Sequence, residues 1–271
     1  MPELPEVETV KRDLSQALKG LRFRDVRVHD RRVIRQKSVR SFTTGVKGKK
    51  ILAVERRGKA LIMRLSEGVF MVVQLMMTGQ LILSKKEPKT RFTKVTFVLS
   101  NGRYLHYNDV RLFGRLQVVD DLNKLPYMRR IGPEPLDRKF NAKALAAILH
   151  QRQKPIKNLL LDHTCVAGIG NIYASEILFE SRIRPERPAV SLTAAEVKRL
   201  YQATVAVLNR AIRSRGTSMY TFRDAQDRKG NFIRQLKVYG RDEDPCPRCR
   251  GAINRIWLAG RSTFFCSKCQ K

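Results

Sequence analysis

The chain has 271 residues, 42% of them hydrophobic, which is enough for two compact domains or one large domain with an appendage and too apolar for disorder. Its 55 Lys and Arg against 24 Asp and Glu leave a formal net charge of +31, which demands a polyanionic partner, most naturally a duplex backbone, although a ribosomal or other RNA-binding protein reaches similar charge without catalysis. The longest apolar run, residues 69–77, is too short to span a bilayer, and Glu3, Glu6 and Glu8 stand where a signal peptide would carry lysines. No membrane partner is therefore expected, and the protein belongs in the cytoplasm, associated with the nucleoid, with its thiols reduced.

Along the chain, Val7, Val10, Leu14 and Leu18 recur at helical spacing and predict a helix from Pro5, with Gly20 as its stop. Residues 21 to about 120 then take strand character: Ile51–Val54, Leu61–Leu65, Val69–Leu75 and Val95–Leu99. Asn101-Gly102 predicts a hairpin into Arg103–Tyr107, because both residues tolerate positive φ. Many short strands with turn punctuation imply a sandwich or barrel. A boundary falls near residue 130, after which the chain turns helical. Asn141 can cap a helix running to Leu149, and Thr193 with Glu196 forms a capping box that opens a long helix to Arg215, closed by Gly216. Residues 217–237 are polar and aperiodic and read as a long loop, of the kind often used as a lid or binding loop. There is no internal repeat.

Two short motifs and the N-terminus carry chemistry. Cys246-x2-Cys249 and Cys266-x2-Cys269 are separated by 16 residues, the spacing of a four-thiolate zinc site. Four thiolates leave no open coordination position, so one structural Zn2+ is expected; two disulfides fit a reduced compartment poorly. Between the pairs, residues 253–265 predict a β-hairpin with Arg261 near its tip. Cys165, the fifth cysteine, reads as a small buried hydrophobe. Gly168-Ile169-Gly170-Asn171 lies between helical segments, where glycines and a helix N-terminus can approach a phosphate; Gly-x-Gly alone is often only a turn. If Met1 is removed, Pro2 presents a secondary amine flanked by Glu3 and Glu6, and an unperturbed α-amino group, with a pKa of roughly 7.7–8.0, is appreciably nucleophilic near neutral pH. Most chain ends fray instead, but the helix that follows would hold this one.

Pro2-Glu3-Leu4-Pro5-Glu6-Val7-Glu8-Thr9, the Gly168–Tyr173 loop and the four-cysteine finger containing Ala259-Gly260-Arg261-Ser262-Thr263 together resemble the bacterial formamidopyrimidine-DNA glycosylases, end to end. The resemblance implies an α+β fold: an N-terminal β-sandwich catalytic domain flanked by helices (1–130), a helix-two-turn-helix domain with a lesion-capping loop (131–237) and a C-terminal zinc-finger hairpin (238–271). It implies a monomer that acts on damaged double-stranded DNA, excising 8-oxoguanine and formamidopyrimidines and then cutting the strand by β- and δ-elimination. By matching motif Pro2 is the nucleophile, Glu3 the acid that protonates the sugar ring oxygen, Glu6 a supporting carboxylate and Lys59 the family's essential lysine. Gly170, Asn171 and Arg261 match the residues that clamp phosphates, with Lys157 as a further basic contact. Met77, Arg111 and Phe113 match the set that fills the gap left by a flipped nucleotide; without the resemblance they would read as core packing and a solvated cation.

The chain departs from the family pattern where Gln74 and Phe92 replace the usual His. Lys94, beside Phe92, can still hold a phosphate, whereas Phe92 cannot. Residues 216–224 depart from the capping-loop pattern, which bears on base preference and not on elimination. Two alternatives stand beside this expectation. The endonuclease VIII branch, which prefers oxidised pyrimidines, typically carries Gly where this chain has Leu4. A non-catalytic zinc-finger binder explains the charge and the cysteines but assigns no purpose to Pro2, Glu3 and Lys59.

Overall fold

A computed structural model describes residues 1–35, 38–87 and 90–271. The chain forms two compact units, the first made of Met1–Arg129 with Ser214–Ile233 and the second of Arg130–Arg213 with Arg234–Lys271.

The first unit opens with α1 (Leu4–Leu18), whose Val7, Val10, Leu14 and Leu18 are all fully buried. The apolar stripe thus faces the core as its spacing requires, and each such side chain contributes roughly 1.5–3 kcal/mol on burial. β1 (Phe23–Val28), α2 (Val39–Val46), β2 (Ile51–Arg57), β3 (Ala60–Leu65), β4 (Phe70–Gln74), β5 (Gln80–Ser84), β6 (Thr93–Leu99), β7 (Tyr104–Asn108) and β8 (Arg115–Val119) follow. They build two antiparallel sheets, in the orders β1-β6-β7-β5 and β2-β3-β4-β8. Phe23, Phe97, Leu105 and Tyr107 of one sheet share a single core with Leu61, Met63, Val73 and Leu116 of the other, which makes the pair a sandwich. Phe97 contacts the ring of Phe23 at 5.3 Å and that of Phe42, from α2, at 6.4 Å. The second sheet buries its other face too: Ala60, Ile62 and Val72 pack with Leu125, Tyr127 and Met128, the last two from α3 (Pro126–Arg130). This explains why β3 reads as a nearly continuous apolar run.

The second unit contains α4 (Ala142–Leu149), α5 (Ile156–Leu161), α6 (Asn171–Ser181), α7 (Ala194–Arg213) and the hairpin of β9 (Asn254–Leu258) and β10 (Arg261–Phe265). Asn141 caps α4 by accepting from Ala144 N. The capping box of α7 forms as expected, with Thr193 N donating to Glu196 at 2.9 Å and Glu196 N to Thr193 Oγ1 at 3.3 Å. α6 is buried on nearly all sides, which leaves Glu176 as a charge among apolar neighbours. The two oxygens of Glu176 accept from the backbone N–H groups of Lys237, Val238 and Tyr239 at 2.9–3.1 Å. These bonds tie the strap that leads to the hairpin onto α6, although burial still pushes the carboxyl above its ordinary value.

Residues 214–233 belong to the first compact unit. This stretch packs with the sandwich unit because Glu6, Asp13 and the edge strand β5 supply its partners. It has the irregular backbone of the long loop expected over 217–237 and is held from within: Asp224, fully buried, accepts from Gln226 N and Arg228 N and from the guanidinium groups of Arg215 and Arg228. Burial alone would raise this carboxyl, but those donors outweigh it and hold Asp224 below its ordinary value. No helix among the described residues is long and apolar enough to cross a membrane.

Candidate active site and nucleic-acid interface

In the sandwich unit, Pro2 and Glu3 are buried where they meet α1, so this terminus is packed and not frayed. Glu3 is the N-cap, and its backbone N–H donates to Glu6 Oε2 at 2.7 Å, the return half of a capping box. The other oxygen of Glu6 accepts from Thr217 N at 2.7 Å. One buried carboxylate thus holds both the helix start and the first residues of the 214–233 stretch. Gly216 is required there: its φ is +78°, and a Cβ would lie 2.6 Å from Glu6 Oε1.

Lys59 stands in the two-residue turn joining β2 to β3, in which Arg57 pairs with Ala60 and Gly58 takes φ +56°. Contacts to the rest of the unit fix this turn. Lys59 N donates to the Tyr127 hydroxyl at 3.0 Å, Arg56 donates to Gly58 O at 3.0 Å, and Arg56 also pairs with Glu8 of α1 at 3.0 Å. The turn carrying Lys59 is therefore braced on the helix that carries Glu3 and Glu6. Burial alone would raise the Glu8 carboxyl, but Arg12 and Arg56 overcome that and lower it.

Met77, Val110 and Phe113 are large apolar side chains left 39%, 53% and 45% exposed. They sit on two loops, 75–79 after β4 and 109–114 after β7. Arg111 lies over the ring of Phe113, 4.7 Å from its centroid. Gln74 ends β4 between Ala60 and Arg115. Lys94 is half-buried with its ammonium folded onto Arg91 O at 3.0 Å, and Phe92 is an exposed ring stacked by Arg91.

The second unit assembles the phosphate-binding candidates. Gly170 is the N-cap of α6, which places Asn171 in the first turn, at the helix end whose dipole favours an anion. Asn171 Nδ2 donates to Ser262 O at 2.9 Å, and the same carbonyl accepts from Lys157 Nζ at 3.1 Å. Lys157, expected as a further basic contact, lies inside this unit. It is fully buried and also donates to Thr263 Oγ1 at 2.6 Å, so its charge is spent on β10. Asn171 and Lys157 thus converge on the residue next to Arg261, which is exposed at the start of β10. Ala259 and Gly260 form the hairpin tip, both with positive φ.

The four cysteine sulfurs lie within 4.8 Å of one another, with Cys246 and Cys269 3.9 Å apart and Cys249 and Cys266 3.5 Å apart. Thiolates at about 2.3 Å from a tetrahedral zinc stand about 3.8 Å from each other, so the donor set fits one structural Zn2+. Its folding role is clear from the size of the core beneath it: Phe179, Val238, Ile253 and Phe264 pack around Cys246 and Cys266. Cys165 is buried, as expected.

Sequence reasoning missed Tyr127, the Arg56–Glu8 brace and Glu176. A carboxylate within the apolar stretch Ile172–Phe179 was the available signal for Glu176; nothing in the local sequence marks Tyr127.

A two-sheet sandwich with buried carboxylates at its N-terminus, a glycine loop feeding a helix and a four-cysteine zinc hairpin define an α+β zinc-finger protein of the nucleic-acid-binding class. Models of the formamidopyrimidine-DNA glycosylase N-terminal domain, its H2TH domain and the zinc finger found in FPG and IleRS match residues 1–116, 131–223 and 243–271. The chain belongs to the formamidopyrimidine-DNA glycosylase family. The formamidopyrimidine-DNA glycosylase of Pelotomaculum thermopropionicum is 45% identical over 274 residues, covering 100% of this chain and 99% of that protein. The crystal structure of the MutM (Fpg) protein of Thermus thermophilus superposes with a TM-score of 0.90 at 41% identity, over 99% of this chain and 98% of that one. A Lactococcus lactis Fpg solved with Fapy-dG-containing DNA gives 0.90 at 32% identity, over 99% and 100%.

Proposed function

We propose that this protein is a bifunctional DNA glycosylase and abasic-site lyase that removes oxidised purines, 8-oxoguanine and formamidopyrimidines, from duplex DNA. The observation that carries this reading is the buried Pro2-Glu3-Glu6 start of α1, locked by the Glu3–Glu6 bond, in a chain so close to glycosylases along its whole length. It works as a monomer in the bacterial cytoplasm.

A target base inside the stack is out of reach, so the nucleotide is first flipped out, at a cost of a few kcal/mol. Met77, Arg111 and Phe113 fill the gap. Arg261, Asn171, the Gly170 amide region and Lys94 hold the phosphates, with Lys157 acting through β10. The Pro2 nitrogen, free once Met1 is removed, attacks C1′ and gives up its proton to the base, which departs with the C1′–N bonding pair, and Glu3 protonates the ring oxygen as the C1′–O4′ bond breaks. The nitrogen lone pair then closes an iminium to the opened sugar. That cation acidifies the C2′ proton; its loss expels the 3′ phosphate, and a second elimination expels the 5′ phosphate. Lys59 supplies a cation next to these steps. Zinc takes no part in them; it holds the hairpin that carries Arg261.

The test is a pair of duplexes, one with 8-oxoguanine opposite cytosine and one with thymine glycol. Preferential cutting of the first, leaving a one-nucleotide gap with phosphate on both ends, supports the reading. Preference for thymine glycol would assign the chain to pyrimidine lesions, and no cutting of either would leave only a binder.

A further inference from the structure

The loops that carry Met77 and Arg111–Phe113 are joined by a knot of polar groups that no step above uses. Asp109 is fully buried. Its Oδ1 accepts from the Thr78 hydroxyl and from Arg111 N at 3.2 Å, and its Oδ2 accepts from Gly114 N at 2.8 Å and from the Tyr107 hydroxyl at 3.3 Å. The Thr78 hydroxyl in turn accepts from Arg111 N at 3.0 Å. The backbone fits these groups closely: a Cβ on Gly79 would lie 2.3 Å from the Tyr107 hydroxyl, and one on Gly114 only 1.5 Å from it. Tyr107 is itself fully buried, and burial raises its hydroxyl well above the ordinary value, so it remains a donor. Met77 is the chain neighbour of Thr78, while Arg111 and Phe113 lie between Asp109 and Gly114.

We propose that Thr78 and Asp109 are positioning residues that clamp the 75–79 and 109–114 loops together, so that Met77, Arg111 and Phe113 enter a DNA stack as one preformed wedge. Three exposed side chains on separate loops would each lose conformational freedom on insertion, and a preset arrangement removes much of that cost from the binding step. Asp109 suits the task because a carboxylate offers acceptors on both oxygens and no donor, and every neighbour facing it donates. An Asn in its place would turn an amide N–H2 toward two donors whichever way it flipped.

The inference rests on the gap-filling role given to Met77, Arg111 and Phe113 but not on the chemistry at Pro2, so its test needs binding alone. Affinity is measured by fluorescence anisotropy for a duplex with one tetrahydrofuran abasic site and for the same duplex intact, and their ratio gives the site preference. Thr78→Val, of the same shape without the hydroxyl, and Asp109→Asn should each cut that preference about tenfold, the scale of one or two hydrogen bonds lost around a buried acceptor. Thr78→Ser should restore it, and Thr78→Ala serves if the valine variant does not accumulate. Because Asp109 has no access to DNA, equal losses in both variants identify the clamp and not a contact from the Thr78 hydroxyl. Loss of affinity for both duplexes alike would mean general loosening of the sandwich and would overturn the clamp. Met77→Ala separates the two levels. If it abolishes the preference while Thr78→Val keeps it, the clamp is wrong; if it leaves the preference intact, the gap-filling role is wrong and the clamp falls with it.

Discussion

Glu6 accepts a 2.7 Å hydrogen bond from the backbone of Thr217, 211 residues further along the chain, while its second oxygen holds Glu3 N at the same distance. The N-terminal carboxylates and the stretch that reaches to Tyr220, 88% exposed, thus share one buried group. Order in that stretch and order at the helix start are coupled through it.

Gly216→Ala tests the coupling. A left-handed φ costs an alanine about 1–2 kcal/mol, and the added Cβ must also displace Glu6. Thermal unfolding should show Tm lowered by roughly 2–8 °C, with faster amide exchange at both Glu3 and Thr217. Faster exchange at Thr217 alone would show that Glu6 does not transmit the disturbance.

Lys157→Met separates a buried brace from a phosphate contact. Each phosphate contact contributes about 0.9 to the slope of log affinity against log salt. Lys157 spends its ammonium on Ser262 and Thr263, so the methionine variant should bind duplex DNA more weakly with its salt slope unchanged. Arg261→Ala should lower the slope by about 1. A drop of similar size in Lys157→Met would make Lys157 a direct contact after all.

The pattern of what the sequence disclosed follows from where each signal resides. The stripe Val7, Val10, Leu14 and Leu18, the Asn141 cap and the Thr193–Glu196 box depend on neighbours within a turn or two, and all formed as read. The four cysteines were legible because metal geometry constrains their spacing. β1, β5 and β8 went unread because they are short and take their place as strands from pairing with β6, β7 and β4. Residues 217–237 read as a long loop, and what holds the 214–233 stretch was illegible because its partners, Glu6, Asp13 and Leu83, lie more than 130 positions away. The burial of Lys157 was illegible because a lysine is normally at the surface, and only the tertiary structure supplies the Ser262 and Thr263 oxygens that let it be buried.

Acid should loosen α7 through Glu196. The Arg187 guanidinium, bonded to its carboxylate at 2.6 and 3.1 Å, holds that group at about 2 against an ordinary value of 4.5. A carboxyl depressed by folding adds stability that is complete above its unfolded pKa and disappears as pH falls through its folded one. Wild-type Tm should therefore fall between pH 4.5 and 2, and Glu196→Gln should start lower and fall less over that window. Parallel curves for the two proteins would remove Glu196 as the source.

The central claim is that the Pro2 nitrogen is the nucleophile. Duplex containing 8-oxoguanine opposite cytosine, incubated with the protein and reduced with borohydride, should give a covalent complex whose tryptic N-terminal peptide carries the sugar remnant on Pro2. A remnant on Lys59, or no covalent complex from protein shown to have lost Met1, would contradict it.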